Sequence, residues 1–168
     1  MKKVLQFSGL ISLLLVVVAF ILMLATNAVI VKSGSVQVVY AGTTAIFGNT
    51  ESTILGDVHT NPSVLALIGW ILLLVGMLIV IAGIVLPLLK VTALEKFAGL
   101  LNLVAVVCFV IAGVFMFLVV PTFYAANDAN VPDNAVIGAG WVIGGILAIA
   151  GGVFAILPAA ASFLGKKK

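Results

Sequence analysis

Apolar residues along this chain come in long unbroken runs instead of the short alternation of a soluble domain. A bilayer core of about 30 Å takes about 20 apolar residues in a helix. Four stretches reach that length, at residues 4–31, 64–89, 97–120 and 136–164, and none contains Asp, Glu, Lys or Arg. Polar positions gather in three connections: KVTALEK at 90–96, a 30-residue segment at 33–62 and a 15-residue segment at 121–135. The pattern predicts an all-α membrane protein, an antiparallel four-transmembrane-helix bundle forming one domain over residues 1–168. The tight connection at 90–96 makes the second and third spans neighbours.

The longer outer segment changes period. SVQVVY at 35–40 is rich in β-branched and aromatic residues, Ala41-Gly42-Thr43 reads as a turn, and TAIFG at 44–48 reads as a returning strand. A small extracellular cap containing a β-hairpin follows. An isolated hairpin is marginal in water, and an edge strand can template another strand. Val36, Val38, Tyr40, Ile46 and Phe47 are therefore the candidates for pairing, inside the cap or with another molecule.

Small residues follow a third pattern. GAGWVIGGILAIAGG at 138–152 holds six glycines and three alanines. At about 100° per residue, Gly140, Gly144, Ala148, Gly151 and Ala155 share one helix face, and Val142, Ile143, Ile146, Ile149, Val153 and Leu157 lie opposite. Gly138, Gly145 and Gly152 widen the small face. In the second span Gly69, Gly76 and Gly83 recur every seven residues, and Ser8, Ser12 and Ala19 align in the first. Lipid tails are as apolar as leucine, so helices in a bilayer associate through van der Waals contact and hydrogen bonds, and small residues let backbones approach. These rows are expected to be helix-packing surfaces, within the chain or between copies. Asn102, on a face with Ala98, Ala105 and Ala112, is the expected interhelical polar contact.

Composition fits this picture. The chain is 64% hydrophobic and 8% charged, against about 25% charged residues in soluble domains, which excludes a water-soluble globule. Lys2, Lys3, Lys90, Lys96 and Lys166–Lys168 fall on one side of a four-span layout. Lys32, Glu51, Asp57, Asp128 and Asp133 fall on the other. The lysine-rich side is the cytoplasmic one, so both termini are expected in the cytoplasm of a multi-pass cell-membrane protein. The absence of arginine suggests a bacterial plasma membrane. Met-Lys-Lys before the first apolar run, with Thr26-Asn27-Ala28 after it, also fits a signal peptide. The run exceeds the roughly 7–15 residues of a signal core, so it is expected to be retained as a span.

Candidate chemistry is sparse. Cys108 lies mid-span and reads as a small buried hydrophobe. His59 belongs to a solvated turn, and Asp128 and Asp133 lack the spacing of a calcium loop. Pro87 and Pro158 are candidate kinks, and Trp70, Trp141 and Tyr124 read as interfacial anchors. With no catalytic cluster, no metal-ligand spacing and no ionisable group within the spans, an enzyme or an ion-coupled pump is disfavoured, and no cofactor is expected. A net charge of +3 without arginine gives no footing for nucleic acid. The expected function is a non-enzymatic structural or assembly protein working through helix–helix and outer-loop contacts and self-associating. Its partners would be membrane lipids and itself or another membrane protein. The alternative is an accessory subunit or an oligomeric channel for a neutral or lipidic substrate.

The order of span, larger β-rich outer segment, three further spans and a smaller second outer loop resembles the claudin-like tetraspan proteins. The resemblance is one of topology over the whole chain. The tryptophan-and-cysteine signature of that group's outer segment is absent, since no Trp or Cys occurs between residues 33 and 62. The resemblance implies the same helix order and a β-rich cap, and it transfers no site residue.

Overall fold

The computed structural model describes residues 2–53, 56–88 and 98–164. In chain order the elements are α1 (Lys2–Ala25), β1 (Asn27–Ser33), β2 (Val36–Ala41), α2 (Gly42–Phe47), β3 (Asn49–Thr53) and β4 (Gly56–Thr60). They are followed by α3 (Val64–Leu88), α4 (Ala98–Phe117), α5 (Val119–Ala126), β5 (Ala135–Ile137) and α6 (Ala139–Leu164). Helices α1, α3, α4 and α6 are each long and apolar enough to cross a membrane. They form a ring in which α1 touches α6, α6 touches α4, α4 touches α3 and α3 touches α1, the last contact being the smallest. The tight connection at 90–96 and Lys166–Lys168 lie outside the described residues.

The packing is inverted relative to a soluble bundle. Leucine, isoleucine and valine face outward all round, as at Leu14, Ile21, Ile71, Leu78, Val107, Ile146 and Val153. Glycine, alanine and serine are turned in, with a few large side chains (Leu73, Phe109, Met116, Trp141) filling the middle. In a hydrocarbon surrounding, outward leucine would be harmless, and van der Waals contact would then reward whichever faces come closest.

Three expectations about the elements are corrected. The first helix stops at Ala25 rather than near residue 31, and Ala28–Val31 become strand β1. Thr26 Oγ1 donates to the Leu22 carbonyl over 2.6 Å at the helix end, and the β-branched run Val29-Ile30-Val31 favours extended backbone. Second, the hairpin is shifted. Residues 36–41 form a strand as expected, but the partner is β1, through Ser33↔Val36 to Asn27↔Ala41, and the chain reverses at Gly34. A φ of +59° at Gly34 suits a residue without a side chain. Third, residues 42–47 form the short helix α2 and not a returning strand, so Ile46 and Phe47 pair with no strand. Gly42 donates its N–H to the Thr26 carbonyl at 2.8 Å. A methyl on Gly42 would strike the Met23 carbonyl, so the chain is drawn down onto the end of α1 before a return strand can form.

The cap carries more β structure than the sequence pattern indicated. Strands β2-β1-β5 make one antiparallel sheet, with Val29↔Ile137 to Val31↔Ala135 joining the two outer segments, and β3 and β4 make a separate hairpin. The central strand β1 is a direct extension of α1, and β5 runs directly into α6.

Candidate functional site: the glycine seams and the free strand of the cap

Three of the four seams, α1–α6, α4–α6 and α3–α4, are built on glycine. Along α6, Gly144 and Gly151 meet α1: a methyl on Gly144 would lie 3.4 Å from the Ala19 carbonyl of α1 and 2.5 Å from Met116 Cε, which reaches in from α4. A methyl on Gly151 would strike Val16 and lie 3.2 Å from the Ser12 carbonyl. Gly140 is pressed against Thr26 at the end of α1. Ala148 and Ala155 are buried along the same helix. Gly145 and Gly152 do not widen this groove. They form a second one, facing Phe117 and the Gly113 carbonyl, and Val110 and the Val106 carbonyl, on α4. Gly138 precedes α6 and sits against the Asn27 carbonyl. On α3 all three heptad glycines face α4: Gly69 meets Phe115 and the Ala112 carbonyl, Gly76 lies under the Phe109 ring, and Gly83 faces Asn102.

One interhelical hydrogen bond within the bundle comes from serine. Ser12 Oγ donates to the Gly151 carbonyl at 2.7 Å, fully buried between α1 and α6. Asn102 is half-buried with Oδ1 toward Gly83, and no hydrogen bond between helices is formed by its amide among the described residues. Replacing Ser12 with alanine should lower stability by about 0.6–1.7 kcal/mol, the range measured for polar contacts between membrane helices. Equilibrium unfolding in bicelles checks this, and an unchanged midpoint would show that the bond contributes nothing.

The anchor reading of the aromatics is corrected. Trp141 is 0% exposed and Tyr124 is buried, so neither ring is presented outward as an anchor. The start of α6 is tucked beneath β1, where Gly138 N–H donates to the Ala28 carbonyl at 3.0 Å, and the cap covers what a bare helix end would expose. Trp70 is half-buried, stacked on Phe20 with centroids 5.9 Å apart and met edge-on by Phe47 at 5.2 Å. The Nε1 atoms of Trp70 and Trp141 are buried with no hydrogen-bond partner among the described residues. Burial, and secondarily the neighbouring Tyr40, push the Tyr124 hydroxyl above its ordinary value of 10.0. Cys108 is buried.

The two outer segments are locked together by polar groups that the sequence reading passed over. Asn61 N–H donates to Asn127 Oδ1 at 2.7 Å, and Asn127 Nδ2 donates to the carbonyls of Asn61 (3.1 Å) and Phe123 (2.8 Å). Asn61 Nδ2 reaches the Ala126 carbonyl at 3.1 Å. Ser63, buried before the first turn of α3, shares a 2.7 Å hydrogen bond with the Thr122 hydroxyl, and its N–H donates to the Ala45 carbonyl. Asn134 Nδ2 donates to the Lys32 carbonyl. Ser63 had a readable signal, since a serine immediately before an apolar helix is an N-cap pattern. The asparagines had none, because their partners in the other outer segment lie 65 or more residues away in the chain.

Among the described residues the three-stranded sheet has two edge strands, β2 and the three-residue β5. In the order β2-β1-β5, β2 pairs on one side only. Val36 (63% exposed), Val38 and Val39 stand in the open on it, and Tyr40 is turned inward against Phe123, with ring centroids 4.8 Å apart. Beside β2 lies a cleft of about 240 Å³ lined by Val38, Val39, Tyr40, Thr44, Glu51, Val58 and Thr60. On the β3–β4 hairpin His59 Nδ1 meets Thr50 Oγ1 at 2.9 Å, and Ser52 donates to Asp57 at 2.7 Å, all exposed. Asp128 and Asp133 are exposed and not brought together with other ligands; among the described residues no three His, Cys, Asp or Glu side chains converge. No protein-family model matches the chain, and no curated protein matches it.

Proposed function

We propose that the protein is a non-enzymatic structural component of a cell membrane that assembles with further copies of itself through its cap. Both termini are placed in the cytoplasm and the cap outside, following the lysine distribution. The observation that carries this reading is the unpaired, valine-lined edge of β2. Exposed edges of this kind are normally blunted with charge or proline, yet residues 33–41 contain neither. Pairing β2 with the β2 of a second copy is a symmetric contact, the same patch on both sides, and opposes no like charges. The glycine rows support the reading by elimination: Gly76, Gly144 and Gly151 are occupied within the chain, so the bundle keeps only bulky side chains for its surroundings.

The test is copy number in lipid. The wild type, tagged and reconstituted in vesicles at rising density, should bleach in two or more steps per spot. The double change Val38→Lys, Val39→Lys should give single steps, because two facing charges oppose strand pairing. A wild type that stays single at every density, or a variant with unchanged copy number, sinks the proposal.

A further inference from the structure

We infer that the short helix α2 lies within the cap-side leaflet of the bilayer, with the Phe47 ring set among lipid acyl chains. This rests on reading the four long helices as membrane-spanning.

By position in the chain, residues 42–47 belong to the outer segment, flanked by strands on both sides. By packing they belong to the bundle. Gly42 N–H is tied to the Thr26 carbonyl and the Ala45 carbonyl to Ser63 N–H, each at 2.8 Å, so α2 bridges the end of α1 and the start of α3. Round the ring these are the two neighbouring helices whose direct contact is smallest, and α2 packs against both with Ala45 and Ile46 buried.

Phe47 fixes the depth. Its ring meets Trp70, and Trp70 stacks on Phe20. Both partners lie inside the apolar spans Val64–Val85 and Phe7–Ala25. At about 1.5 Å per residue, Trp70 is about 9 Å along α3 from its first residue, and Phe20 about 8 Å back from the end of α1. The Phe47 ring is therefore level with the second turn of α3, yet it is 52% exposed on the outside of the bundle. At that level the surroundings of a spanning helix are lipid. The exposed Ile68 and Ile71 of α3 continue the same apolar band. The helix is also fit for such a place. It carries no charge, its first N–H is bonded to Thr26, and the N–H of Gly48 closes its last turn on the Thr44 carbonyl at 2.9 Å. Backbone groups at membrane depth must be satisfied in this way.

Single cysteines placed in a Cys108→Ala background test the depth. The variants are Phe47→Cys, Val38→Cys on the free strand and Ile71→Cys on the lipid-facing side of α3, each held one copy per nanodisc and treated with a charged, water-soluble maleimide. Val38→Cys should react fast. Phe47→Cys and Ile71→Cys should both react about tenfold or more slowly, because the thiolate is the reacting form and an apolar medium suppresses it. If Ile71→Cys is protected but Phe47→Cys reacts like Val38→Cys, α2 stands in water and the inference fails while the spans remain. If Ile71→Cys is unprotected as well, the spanning reading itself fails. Protection of Phe47→Cys that appears only when several copies share one bilayer assigns the surface to a second copy and overturns the lipid assignment. Should Phe47→Cys not fold, Phe47→Trp in a Trp70→Phe, Trp141→Phe background gives a second route. Quenching by lipids brominated near the headgroup supports the inference, and quenching by aqueous iodide alone overturns it.

Discussion

Replacing Gly113 with leucine is expected to separate α4 from α6 and to destabilise the bundle by more than about 3 kcal/mol, beyond the usual range for overpacking. Of the glycines that face another long helix, Gly113 is pressed nearest to its neighbour's backbone: a methyl there would stand 2.8 Å from the Gly145 carbonyl and 2.7 Å from Ile149 Cγ1. The side chain of Ile149 can move, but the carbonyl belongs to a helix backbone and cannot. A methyl on Gly145 would in turn lie 3.2 Å from the Gly113 carbonyl, so the pair is reciprocal. Alanine at 113 should already cost about 1–3 kcal/mol. Because α6 also carries the contact with α1, its displacement should release Ser12 from Gly151. Unfolding in bicelles gives the first measure, and the Ser12→Ala change should lose its effect in the Gly113→Leu background, as coupled sites do. A leucine variant with wild-type stability would mean that the crossing is looser than described here.

Gly113 also marks where reading the sequence stopped. The repeats at 69/76/83 and 140/144/151 stood out as rows, and all six glycines face a neighbouring helix or its end. Gly113 is part of no row, and its importance comes from the crossing with Gly145, which no single helix encodes. The four long helices were legible because lipid demands a length and polarity that few other structures share. The end of the first was not: Ala28–Val31 is as apolar as a span, and hydropathy cannot distinguish a buried strand from a continuing helix. Trp141 was misplaced for a related reason. A tryptophan near a span's end serves as an outward anchor only where its ring is exposed, and here the ring is fully buried. The free strand was read at the right residues, 36–40, with the wrong partner, since its mate lay in sequence assigned to the membrane.

The second large effect is expected at Asn127. Changing it to alanine removes the acceptor for Asn61 N–H and the donors to the Asn61 and Phe123 carbonyls. At about 1 kcal/mol net per hydrogen bond, the loss should be about 2–3 kcal/mol, tempered by water reaching the exposed groups. The consequence should be local. Amide exchange should speed up through β4 and the first turn of α3, while the α1–α6 seam, held by Ser12 and glycine packing, keeps its protection. Asn130→Ala, three residues on and exposed, is the control that should change nothing. Equal exchange rates in Asn127→Ala and wild type would show that the Asn127 hydrogen bonds do not hold the two outer segments together.

The sheet and the bundle are not hinged to each other. One residue, Thr26, separates α1 from β1, and one, Gly138, separates β5 from α6. These two joints lie side by side, with Gly138 bonded to Ala28 and Gly140 wedged on Thr26. A load applied to the cap is therefore delivered as torque to two helices at once, and the strands act as the handle of a lever whose shaft is the α1–α6 pair. Anything that grips this protein from outside also steers its tilt.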